Sequence, residues 1–82
     1  MVITNGDVFR TSDTALAAYL VSEGYTTPEI DFNGNKAYFI FSPKTSKLEE
    51  SISLFDTARA EGNIVLFFNA YQSLLRRIRE RY

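Results

Sequence analysis

Four arginines, Arg76, Arg77, Arg79 and Arg81, crowd the last turns of the 82-residue chain. Guanidinium groups so placed can track nucleic-acid phosphates, each neutralised phosphate adding to a salt-dependent affinity. Tyr38, on an open sheet face, would supply the stacking surface of a single-strand binder. The structural reading needs no ligand. Cations at a helix C-terminus sit well with its dipole, and Arg76 and Glu80 are spaced to pair. The first 75 residues hold five Lys or Arg against nine Asp or Glu, an acidic body that repels a long duplex.

Arg10-Thr11-Ser12-Asp13 is the most motif-like stretch. Arg10, Thr11 and Ser12 beside a helix N-terminus would suit a phosphate or carboxylate. The same residues read as a helix cap, with Thr11 or Ser12 accepting from a first-turn amide. Asp13 repels an incoming anion.

The ten carboxylates include Glu49-Glu50 with Asp56 on a helix, and Glu29 with Asp31 on a strand face. Acid–base work needs them desolvated and aimed into a pocket, and no spacing places them so. They read as solvated faces, and no catalytic residue is assigned. The chain has no Cys and no His. That excludes disulfides, the usual zinc sites and Cys-His or Ser-His-Asp chemistry. The four glycines fall at expected turns and caps, not in a phosphate loop. No metal and no cofactor is expected.

These side chains hang on elements that the periodicity predicts. Val8-Phe9-Arg10 reads as a short edge strand, after a candidate Asn5-Gly6 turn. Residues 12–23 read as a helix with apolar stripe Leu16, Ala17, Leu20 and Val21, ended by Gly24 with Tyr25 packing back. Residues 25–32 and 36–42 read as a hairpin turning at Asn33-Gly34. That register opposes Phe32 to Asn35, Asp31 to Lys36, Ile30 to Ala37 and Glu29 to Tyr38. Ile30, Phe32, Ala37, Phe39 and Phe41 then form the core face, and Thr27, Glu29, Asp31, Tyr38 and Ile40 the other. Pro28 suits an edge strand. Pro43-Lys44-Thr45 breaks the strand. Ser46 and Glu49 form a capping box opening a helix over 47–60, with stripe Leu48, Ile52, Phe55 and Ala58, ended by Gly62.

Asn63 caps the last helix. Its stripe is Ile64, Phe67, Phe68, Tyr71, Leu74, Leu75, Ile78 and Tyr82. Ile64 to Leu75 is expected to close the core over Phe39 and Phe41, while the arginine end outruns the sheet and projects. Together these predict one domain over 1–82. The fold class is α+β, a small antiparallel sheet (the hairpin plus the N-terminal strand) packed by three helices in the order β-α-β-β-α-α.

Phe9-Arg10-Thr11-Ser12-Asp13, then Leu16-Ala17, Leu20 and Gly24-Tyr25, then the aromatic strand Tyr38-Phe39-Ile40-Phe41, and finally Phe67-Phe68-Asn69-Ala70 followed by basic residues form a pattern. It resembles a family of small domains of unknown function from bacteria, archaea and their phages or other mobile elements. The resemblance covers nearly the whole chain from Phe9 on. It implies a genomic setting and no catalytic residues.

The expected function is a non-enzymatic protein-interaction or accessory module of a prokaryote, phage or mobile element. The alternative is a nucleic-acid-binding accessory protein using Arg76, Arg77, Arg79, Arg81 and Tyr38. Tyr38, Ile40, Leu66 and Ala70 are candidate interface residues, with a homodimer and a monomer as equal alternatives. Met1 to Asp7 does not read as a signal peptide and no run suffices for a membrane span. The expected setting is therefore cytoplasmic, away from membranes.

Overall fold

Residues Glu29–Asn33 and Lys36–Phe41 pair as an antiparallel hairpin, two positions out of the expected register. The computed structural model describes residues 8–25, 27–42 and 45–81. The Asn5-Gly6 turn, the Pro43-Lys44 break, Tyr82 and the side chain of Arg81 lie outside the described residues. The two hairpin strands, β2 and β3, turn through Gly34-Asn35 rather than Asn33-Gly34. Gly34 holds φ +64° at the first loop position, where mirror-image two-residue turns favour glycine. Asp31 therefore faces Tyr38 instead of Lys36, and Ile30 faces Phe39. A shift by two keeps every side chain on its expected face.

The first strand, β1 (Phe9–Thr11), pairs antiparallel with β3, so the sheet order is β1-β3-β2 and β1 is an edge as expected. Phe39 and Phe41 are buried on the covered face, with Ile30, Phe32 and Ala37 half-buried beside them.

Helix α1 (Thr14–Ser22) is capped by Asp13, not by Thr11 or Ser12. The Asp13 carboxylate accepts from the amides of Ala15 and Leu16 at 3.0 and 3.2 Å. Thr11 Oγ1 instead accepts from the Asp13 amide. At the other end Gly24, at φ +98°, donates to the Val21 carbonyl and Tyr25 donates to that of Leu20, the paired bonds of a Schellman stop. Leu16, Ala17, Ala18, Tyr19 and Leu20 are all buried. Five consecutive positions sweep more than a full turn. The expected one-sided stripe is thus corrected to a helix enclosed all round.

Helix α2 (Ser46–Asp56) starts one residue earlier than the capping box requires. Its cap is Thr45, whose hydroxyl accepts from Leu48. It also stops well before residue 60. Ala58 takes φ 59°; its amide donates to Phe55 and that of Arg59 to Leu54. Ala58 therefore occupies the left-handed stop position expected of a glycine, and Gly62 plays no part in it. The Tyr25 hydroxyl ties α2 back to the end of α1, lying 2.9 Å from both the Lys47 carbonyl and Ser51 Oγ.

Helix α3 (Ile64–Arg81) is capped as expected by Asn63, whose Oδ1 accepts from Val65 and Leu66. Its main neighbour is α1 rather than the sheet. The order β-α-β-β-α-α and the α+β class stand. The element at the centre is α1, with the sheet, α2 and α3 gathered about it.

Candidate interaction surface

The broad apolar stripe of α3 divides in two. Ala70 and Leu74 are buried, and Phe67, Tyr71 and Ile78 pack half-buried beside them. Ile64, Val65, Leu66 and Phe68 are 79%, 62%, 53% and 58% exposed. Ala70 is therefore a core residue and not the exposed interface residue expected. Leu66 is exposed as expected. Phe68, expected in the core, points away from it. A signal for this was present in Ile64-Val65-Leu66-Phe67-Phe68. Five successive apolar residues cannot share one helix face.

Next to this ridge lies a groove of about 480 Å³, lined by Tyr19, Phe55, Ala60, Gly62, Ile64 and Phe67 among others. The rings of Tyr19 and Phe55 form one wall, 5.6 Å between centroids. Burial, with Glu23 and then Tyr25 adding to it, raises the pKa of the Tyr19 phenol above its ordinary value. The groove mouth is acidic: Glu61 is part of its lining, and Glu23 Oε2 lies 3.1 Å from where a Cβ on Gly62 would sit.

The arginine end does not project as expected. Arg77 is half-buried and its Nη2 donates to the Pro28 carbonyl at 3.0 Å. Its Nη1 is buried with no partner among the described residues. Ile78 packs against the core. Arg76 and Arg79 alternate with these docked residues and are exposed, as is Glu80. The helix is thus anchored by its C-terminal turns, and its N-terminal turns stand out from the core.

Of the other candidates, Arg10, Tyr38 and Ile40 cluster on the open face of the sheet, with Arg10 on Tyr38. Arg10 lies on the open sheet face, its guanidinium carbon 3.9 Å from the centre of the Tyr38 ring, and Nη2 is 3.0 Å from Asp31 Oδ2. Tyr38, proposed above as a stacking platform, is already stacked on. Ile40 beside it is half-buried. Beside Arg10, Thr11 and Ser12, the Asp13 carboxylate already takes the amides of Ala15 and Leu16 that an anion there would use. Among the described residues no group of three or more His, Cys, Asp or Glu could hold a metal ion, and no helix is long and apolar enough to cross a membrane.

No curated protein and no solved structure matches the chain. A family model described as a domain of unknown function, DUF5659, matches residues 6–80. That span takes in every strand and helix from β1 almost to the end of α3, and the chain belongs to this family.

Proposed function

We propose that the protein is a non-enzymatic interaction module whose working surface is the exposed start of α3. One observation carries this reading: Ile64, Val65 and Phe68 stand exposed at neighbouring positions of one flank, beside an apolar groove, on a helix whose other end is fastened down. Together they leave on the order of 400 Å² exposed, within the ~300–600 Å² of the largest patch on a typical monomer. The nucleic-acid alternative draws less support. Arg77 is committed to Pro28 and Tyr38 is covered by Arg10, which leaves Arg76 and Arg79, of the arginine side chains described in α3, to meet phosphates.

A photo-cross-linking residue at Phe68, activated in living cells, tests the proposal. Protein adducts from position 68, with none from the exposed Ser73, are expected. Absence of any protein adduct, together with salt-sensitive binding of single-stranded nucleic acid that Arg76→Ala with Arg79→Ala removes, would favour the alternative.

A further inference from the structure

We infer that the partner of this surface is a second copy of the chain, its α3 packed antiparallel along the line Ile64, Phe68, Tyr71 and Leu75. The inference rests on the interaction reading above and names its occupant. Those four positions advance by four, three and four residues, the spacing of a helix–helix seam. They lie on the flank of α3 next to the core face, with Ile64 and Phe68 exposed and Tyr71 and Leu75 half-buried.

A two-fold pair requires one patch that complements itself. Antiparallel alignment about the middle of this line sets Ile64 against Leu75 and Phe68 against Tyr71, twice over. Ile64 also lines the groove, so the ridge of one copy adjoins the hollow of the same copy and is available to the other.

Charge selects the direction. No residue from Ile64 to Leu75 is charged. Glu61 lies just before this stretch, with Glu23 near it, and Arg76 and Arg79 lie just after. In the antiparallel arrangement Glu61 of each copy falls beside Arg79 of the other, which continues the line four residues after Leu75. A parallel arrangement would bring Glu61 against Glu61 and arginine against arginine, which complementarity disfavours. The area along this line, the exposed Ile64 and Phe68 with the half-buried Tyr71, Leu75 and groove walls, is that of a small interface, below the ~800 Å² each partner contributes to a standard one.

Sedimentation velocity of the full chain from about 1 µM to about 1 mM spans weak and moderate affinities. A dimer is expected; a monomer throughout overturns the assignment, whatever the cross-linking experiment gives. Phe68→Glu should raise the dimer dissociation constant about thirtyfold or more with an unchanged circular dichroism spectrum. Ile64→Glu, at the more exposed position, should do the same and serves if Phe68→Glu fails to fold. A dimer indifferent to both places the interface elsewhere and overturns the proposal. Glu61→Arg and Arg79→Glu should each weaken the dimer about two- to tenfold, and the two together should recover it. A double variant no tighter than the single ones would rule out the antiparallel pairing. A cross-link from position 68 to a different protein, with the purified chain monomeric, would leave the interaction reading standing and the second-copy reading overturned.

Discussion

Arg10 and Asp31 lie on opposite edge strands, yet their side chains meet at 3.0 Å over the central strand. Two strand spacings, ~10 Å, separate their backbones, and Arg10 crosses that gap by lying on the ring of Tyr38. The contact depends on the hairpin register, which sets Asp31 beside Tyr38 rather than Lys36. Both charged groups are about half exposed, so the pair is worth little by itself. A double-mutant cycle of Arg10→Met and Asp31→Asn should give a coupling below ~1 kcal/mol, shrinking further in high salt. A coupling several times larger in urea denaturation would mean that the pair is far better shielded from water.

The two kinds of arginine in α3 should separate cleanly. Arg77→Ala removes a charged hydrogen bond to Pro28 and the packing of its half-buried stem, and should cost ~1.5–3 kcal/mol. Arg76→Ala and Arg79→Ala, at exposed positions, should each fall within ~0.5 kcal/mol of the parent. Chemical denaturation of the three variants compares them directly; equal losses would place Arg76 and Arg79 in the fold as well.

The same division applies to the apolar residues of the helix. Leu74, 2% exposed, should cost ~2–5 kcal/mol when cut to Ala. Phe68→Ala should barely change the stability of the monomer, measured at concentrations too low for association. A large monomer loss at Phe68 would show that its ring is covered by the chain's own core.

Ala58 invites a stabilising change. A residue with a Cβ in the left-handed region costs ~1–2 kcal/mol, and Ala58 holds φ 59° at the stop of α2. Ala58→Gly should raise stability by about 1 kcal/mol, with Arg59 still bonded to Leu54. A lower melting temperature would refute the assigned backbone strain.

Tyr19 supplies a pH dependence. Its folded pKa is raised, chiefly by burial. The folded state therefore holds this proton more tightly than the unfolded chain. Its contribution is fully present below the unfolded tyrosine pKa of ~10 and is lost as pH rises through the higher folded value. Melting temperatures measured across that alkaline range should fall more steeply for the parent than for Tyr19→Phe. Parallel curves would mean that the phenol titrates equally in both states.

What could be read from residue order was local chemistry: Asn63 as a cap, Gly24 as a stop, and strand faces set by alternation about the Asn-Gly pair. The misreadings share a cause. A two-residue slip leaves alternation unchanged, so periodicity cannot choose between Asp31 facing Lys36 and Asp31 facing Tyr38. Ala58 in a left-handed conformation leaves no mark in composition. The stripe of α3 shows which residues are apolar but not which of them other elements cover. Leu66 could be placed in solvent because it is off the stripe. Phe68 could not be placed there from the stripe alone, although the run of five apolar residues from Ile64 required some of them to turn away from the core.

The enclosure of α1 bears on how the molecule opens. With Leu16 through Leu20 buried on every side, no solvent-facing flank lets this helix fray independently of its neighbours. The amides of these buried residues are expected to meet bulk water only when the sheet, α2 and α3 have all let go. Deuterium uptake at these five amides therefore serves as an internal gauge of complete unfolding, against which any looser motion at the free end of α3 can be timed.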